Sequence, residues 1–170
     1  PFRDNPPFPF PLFVKPEAGR GSSGITDESL IKDYDQLVRV CKSIYSTMDQ
    51  AAIVERFLDG KEVTIGVLGN GKDARALVPL EIRLQPGQKF LTYGTKDWDY
   101  DTNFLFRAEF DNPGQVKQIQ DLAVKAYNTL GFKDYGRIDT IVTSEGPFLL
   151  EGNTFAGLTC TPVEKPHGYI

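Results

Sequence analysis

Residues 135–153, YGRIDTIVTSEGPFLLEGN, constrain the fold more than any other stretch. Two runs rich in β-branched and aromatic residues flank a short polar segment, the pattern of an antiparallel hairpin. With the loop at Ser144–Gly146, centred on Glu145, strand alternation puts Arg137 and Asp139 on one face and Glu151 and Asn153 on one face. Asp139 then falls opposite Glu151, and Arg137 opposite Asn153. Leu149 and Leu150 are expected to be buried immediately before this polar run. Two facing carboxylates repel, and polar groups at a buried strand end cost free energy without a partner. Oxygen donors from Asp, Glu and Asn, with no His or Cys among them, suit Mg²⁺ shared with phosphates. The other reading is an ordinary ion-pair cluster in which Arg137 neutralises both acids. Alternation alone does not choose between them.

The rest of the chain alternates strands and helices. PLFVKP (Pro11–Pro16) reads as a short strand ending in Lys15, and EAGRGSSGI (Glu17–Ile25) as a glycine and serine loop. Such a loop offers backbone amides and hydroxyls to a phosphate chain, but it lacks the spacing of a P-loop, and ordinary turns share its composition. A helix follows, capped by Thr26 or Asp27, with Leu30, Tyr34, Leu37, Val38, Cys41, Ile44 and Tyr45 on its apolar face. AAIVERFL and KEVTIGVLG read as two strands around the turn Asp59–Gly60, with RALVPLEIRL as a third strand of the same small sheet. Residues 85–103 show no clear periodicity and read as a candidate lid. A second helix starts at Pro113, buries Val116, Ile119, Leu122, Ala123, Ala126, Tyr127 and Leu130, and stops at Gly131. The domain reading is a proline-rich lead-in over 1–10, expected to be the tail of a longer segment, a lobe over 11–84, a mobile loop over 85–112 and a second lobe over 113–170.

Composition narrows the partners. The 170 residues carry 19 Lys and Arg against 23 Asp and Glu, a net charge of −4, so no basic field attracts nucleic acid and an anionic ligand must be met locally. Two cysteines, Cys41 and Cys160, are too few for a disulfide framework. No apolar run approaches the ~18 residues of a membrane span, so no membrane partner is expected. His167 stands without a catalytic partner at spacing, Trp98 reads as an anchor or a stacking group, and Cys160 lacks an activating neighbour.

Four stretches in order, FPLFVKPEAGRGSSGI, IVERFLDGKEVTIGVLGN, DYGRIDTIV and FLLEGNTFAGLT, together resemble the ATP-grasp domain of the D-alanine–D-alanine ligase family over about Phe10–Pro162. The resemblance implies an α+β ATP-grasp fold of two small lobes with ATP between them. It implies that Lys15 contacts ATP phosphates, that Gly21, Ser22 and Ser23 belong to the loop over them, and that Glu55, Arg56, Phe57 and Leu58 form the adenine hinge. Glu62 matches the ribose-binding acid, and Ile141 and Leu150 the apolar floor under adenine. Asp139, Glu151 and Asn153 match the family's metal ligands, with ATP and Mg²⁺ (or Mn²⁺) as cofactors. Arg137 and the Gly157 amide match the groups that stabilise the tetrahedral intermediate, and Tyr93 and Lys96 those of the mobile loop. The implied activity is ATP-dependent carboxylate–amine ligation through an acyl phosphate, in cytoplasmic peptidoglycan precursor synthesis. The implied partners are small amino-acid substrates, an amino-terminal domain absent from this sequence, and a second copy in a homodimer. Two alternatives stay open: a nucleotide-binding remnant without ligase activity, and a ligase for another amino acid or peptide, the latter suggested by Ala156 and Pro162.

Overall fold

The computed structural model describes residues 6, 8–19, 22–84, 86–92, 104–110 and 112–156. They form two compact units, one from the described residues within Pro1–Leu58 and Gln88–Asp99, the other from those within Asp59–Gly87 and Tyr100–Ile170. The expected boundary at residue 84 is therefore displaced: residues 59–84 join the sheet that carries the hairpin.

The first unit has strands β1 (Leu12–Pro16), β2 (Leu30–Ile31) and β3 (Ala52–Arg56) and helix α1 (Tyr34–Met48). The strands run β2-β1-β3, both pairings antiparallel. Leu12, Val14 and Ile31 meet Leu37, Val40 and Ile44 of α1 in its core. The helix starts later than expected. Thr26 caps only a three-residue 3₁₀ turn at Asp27–Ser29, because Leu30 and Ile31 are drawn into pairing with β1. Asp33 is the true cap, accepting from the Gln36 amide at 2.8 Å. Val40 replaces Tyr45 on the buried stripe, and Tyr45 is 69% exposed.

The second unit contains β4 (Lys61–Leu68), β5 (Arg75–Ala76), β6 (Leu80–Arg83), β7 (Phe104–Arg107), α2 (Pro113–Thr129), β8 (Tyr135–Thr143) and β9 (Gly146–Asn153). Its sheet runs β7-β6-β4-β8-β9, with β5 also paired to β4. Val63, Ile65, Val67, Ile138 and Val142 form the core with Ile119, Ala123, Ala126 and Tyr127 of α2. Asn112 caps α2 by accepting from the Gly114 amide at 2.9 Å, Pro113 opens it, and Gly131 at φ +72° ends it. Leu130, expected in the core, is 51% exposed.

Two strand expectations are corrected. β3 and β4 are not a hairpin: β3 pairs with β1, while β4 lies between β6 and β8. Gly60 serves a close approach, since a Cβ there would stand 2.4 Å from the Val142 carbonyl oxygen. The run at 75–84 divides into β5 and β6 around Pro79, which has no N–H for a ladder. Within the supposed loop at 85–112, Phe104–Arg107 is strand, paired antiparallel with β6.

Candidate functional site

In the first unit the face of β1 and β3 turned away from α1 carries Phe13, Lys15, Ile53 and Glu55. Lys15 Nζ lies 2.8 Å from Glu55 Oε2, so the expected phosphate cation and the first hinge residue form an ion pair. Phe57, two residues beyond Glu55, joins Phe13 and Phe90 in a ring cluster with centroid separations of 5.0–6.4 Å. Phe13 and Phe90 were not singled out in the sequence; strand alternation from Lys15 marks Phe13, whereas Phe90 lies in a segment without periodicity. Arg56 pairs with Leu12 and falls on the opposite side of the strand from Glu55, while the half-buried Leu58 follows the strand end.

The described part of the glycine loop is a tight turn in which the Ile25 amide donates to the Ser22 carbonyl at 2.9 Å. Ser22, Ser23 and Gly24 follow one another here, Ser22 at φ +65°. Gly24 is held at φ +76° with space for no Cβ: one would meet Pro16 Cγ at 2.5 Å and Met48 Sδ at 2.8 Å. The turn is therefore seated on the end of β1 and the last turn of α1.

In the second unit the face of β4, β8 and β9 turned away from α2 carries Glu62, Arg137, Asp139, Ile141, Glu151 and Asn153. Glu62 pairs with Ile141, Thr64 with Asp139, and Gly66 with Arg137. Across the next ladder, Arg137 pairs with Asn153, Asp139 with Glu151, and Ile141 with Phe148. The turn is shorter than expected, because Thr143 pairs with Gly146 and only Ser144 and Glu145 lie between. A bulge between Asp139 and Thr140, with Leu150 as the extra residue, restores the expected opposition of the two carboxylates. Leu149 is 44% exposed, not buried, because β9 is the last strand in the sheet order and carries cover on one flank only.

Asp139 is buried and surrounded by donors. Its Oδ1 accepts from the Thr64 hydroxyl at 2.7 Å and Arg137 Nε at 3.0 Å; its Oδ2 accepts from Arg137 Nη2 and Asn153 Nδ2, both at 3.0 Å. The same Asn153 nitrogen donates to Glu151 Oε1 at 3.1 Å. Two carboxylate oxygens from different strands thus converge on the two N–H donors of one carboxamide nitrogen. A divalent cation fits this donor set once the carboxamide turns its oxygen inward, a rotation that exchanges oxygen and nitrogen without moving the chain. Among the described residues no group of three or more His, Cys, Asp and Glu residues that could hold a metal ion occurs; this cluster offers two carboxylates and one carboxamide. A cavity of about 360 Å³ lined by Asp59, Lys61, Glu109, Phe110, Gln115 and Thr143 includes none of these residues.

Gly21, Tyr93, Lys96 and Gly157, together with Trp98, Cys160, Pro162 and His167, lie outside the described residues. No helix among the described residues is long and apolar enough to cross a membrane.

A family model described as D-ala D-ala ligase C-terminus matches residues 5–163, which is most of the chain. The chain belongs to this family. A D-alanine–D-alanine ligase of Bordetella avium (strain 197N) is 34% identical over 150 residues, covering 88% of this chain and 45% of that protein. One from Cupriavidus taiwanensis is 37% identical over 150 residues, covering 88% and 44%. This member of the D-Ala–D-Ala ligase C-terminal family thus spans less than half the length of the curated relatives it matches. Among solved structures, the VanG D-Ala:D-Ser ligase of Enterococcus faecalis superposes with a TM-score of 0.70 at 26% identity, covering 89% of this chain and 42% of that one. The D-alanine–D-alanine ligase of Bacillus anthracis complexed with ATP superposes at 0.65 and 23% identity, over 88% and 43%, a likeness of fold. The fold is α+β, of the ATP-grasp type.

Proposed function

We propose that this chain is the nucleotide- and metal-handling half of an ATP-dependent carboxylate–amine ligase of the D-alanine–D-alanine ligase kind. The observation that carries the reading is the convergence of Asp139 Oδ2 and Glu151 Oε1 on Asn153 Nδ2 at 3.0 and 3.1 Å, in a chain whose family is that of these ligases. Asp139, Glu151 and Asn153 hold Mg²⁺ in this reading. When bound, the ion supplies charge compensation to the transferring phosphoryl group.

The chain's own residues account for the rest. Lys15 exchanges its Glu55 partner for phosphate oxygens, the Ser22–Gly24 turn and Gly21 cover the phosphates, and Glu62 takes ribose hydroxyls. The hinge residues 55–58 are assigned to adenine, and Ile141 and Leu150 are assigned to apolar contacts with the same base. A substrate carboxylate oxygen attacks the γ-phosphorus of ATP, ADP leaves and an acyl phosphate forms, a step to which Lys96 and Tyr93 are assigned by the family resemblance. A second substrate's amine then attacks the acyl carbon, phosphate departs and an amide bond remains. Arg137, oriented by Asp139, and the Gly157 amide compensate the oxyanion in that step. D-Alanine is the proposed amino acid.

Calorimetric titration with a nonhydrolysable ATP analogue, with and without Mg²⁺, tests the reading. Mg²⁺ is expected to tighten binding in the unaltered chain, and Asp139→Asn and Glu151→Gln are expected to abolish that increment. An increment that survives both substitutions overturns the metal assignment.

A further inference from the structure

We propose that Thr64 is a positioning residue for the carboxylate site, its hydroxyl fixing the Asp139 side chain so that Oδ2 faces Glu151 and Asn153. The inference rests on the metal reading above and extends it to a side chain on a different strand. A carboxylate has two equivalent oxygens and rotates about its last bond with little preference. What distinguishes the two oxygens of Asp139 is their partners. The Thr64 hydroxyl, 2.7 Å away, donates to Oδ1 alone, whereas the carboxamide of Asn153 donates to Oδ2 alone. Arg137 spans both oxygens side-on, Nε at 3.0 and 3.2 Å and Nη2 on Oδ2 at 3.0 Å, so it neutralises the whole group from its own strand. The short Thr64 contact is the one that holds Oδ1 from a neighbouring strand.

Thr64 is 5% exposed and Asp139 6%, so free rotation to a water partner is closed to both. The backbone is pinned at the same place from the other face, where the Thr140 hydroxyl donates to the Val63 carbonyl at 3.0 Å. Two successive residues of β4 thus hold two successive residues of β8. That hold falls where β8 slips by one residue against β9. A bulge re-aims side chains, and the paired hydroxyl contacts give Asp139 a fixed anchor on the regular side of the ladder. A threonine that served only β-propensity would have its hydroxyl free to take any acceptor. Here it takes the one carboxylate oxygen that does not face the second acid.

The test is a Mn²⁺ titration of the 170-residue chain with a nonhydrolysable ATP analogue, following the free-ion signal by electron paramagnetic resonance. Thr64→Val keeps the side-chain volume and removes the donor; it is expected to weaken Mn²⁺ binding about ten- to a hundredfold, the range for partners that orient metal ligands. Thr64→Ser keeps the donor and is expected to restore tight binding, a rescue that a packing role for the methyl group does not predict. Thr64→Ala carries the same expectation as Thr64→Val should the valine variant fail to fold. Asp139→Asn separates the two levels of the argument. If it abolishes Mn²⁺ binding while Thr64→Val and Thr64→Ala bind as tightly as the unaltered chain, the role of Thr64 is overturned and the metal site stands. If Thr64→Ser is as weak as Thr64→Val, the hydroxyl is not the cause and the proposal also falls. If the unaltered chain does not take up Mn²⁺, the metal reading fails and this one with it.

Discussion

Asp139 shows how one buried charge organises its neighbours. A carboxylate this enclosed costs free energy unless donors surround it, and Arg137 supplies two nitrogens within 3.2 Å. Arg137→Ala leaves that charge to neutral donors and is expected to destabilise the fold by about 3 kcal/mol, the scale for breaking a buried pair, read as a lower urea midpoint. Arg137→Lys should fall between, because an ammonium cannot reproduce the planar contact. Strand alternation made Arg137, Asp139, Glu151 and Asn153 legible in the sequence, since all four sit in one hairpin. Thr64 was not legible, because its pairing to Asp139 depends on which distant strand lies beside β8. Tyr127 carries a second expectation. Its hydroxyl donates to the Gly69 carbonyl at 2.9 Å, and burial, with the charge of Asp134, pushes its pKa up. The folded chain then holds this proton above about pH 10, where the unfolded chain releases it, so its contribution is full below that pH and is lost as pH rises further. Melting temperature should fall more steeply above about pH 10 in the unaltered chain than in Tyr127→Phe. At neutral pH the substitution should cost about 1 kcal/mol for the stranded carbonyl.

At the scale of elements, the signals that held were local and the failures involved partners. Pro113 and Gly131 marked the ends of α2 because each acts within one turn of chain. The false hairpin at 52–68 arose because Asp59–Gly60 has turn composition, although Gly60 is there for its contact with Val142. In the true hairpin, a turn shorter by one residue and a bulge of one residue cancel, so the facing pair was predicted correctly from a loop that is not present. Thr26 misled the start of α1 because its capping signal is genuine but spent on a 3₁₀ turn. Asp33→Ala and Asn112→Ala, which remove the observed caps, are each expected to cost about 1 kcal/mol by chemical denaturation. Thr26→Ala should leave α1 intact by circular dichroism.

At the scale of the molecule, each unit follows the same plan: an antiparallel sheet with a helix on one face, the other face carrying a Lys15–Glu55 pair beside aromatic rings in the first unit and the Asp139 cluster in the second. Alternation made the polar face of the hairpin readable in the sequence, whereas the division of residues 59–84 from the first lobe was not, because it follows from long-range strand pairing. With a net charge of −4, a bound nucleotide gains nothing from the overall field. In the proposed reading its affinity comes from short-range contacts, a metal ion among them, and is expected to depend on Mg²⁺ more than on ionic strength. The matched region accounts for 45% of the Bordetella avium relative, and the resemblance assigns the first amino acid's pocket to the half outside the match. The 170-residue chain is accordingly expected to bind nucleotide without releasing phosphate in response to added D-alanine. A chimera that supplies the unmatched half from that relative is expected to release phosphate in a D-alanine-dependent way. Release by the chain alone would show that this half suffices. A silent chimera that still binds Mg²⁺ and nucleotide would remove ligation from the proposed function and leave the nucleotide site in place.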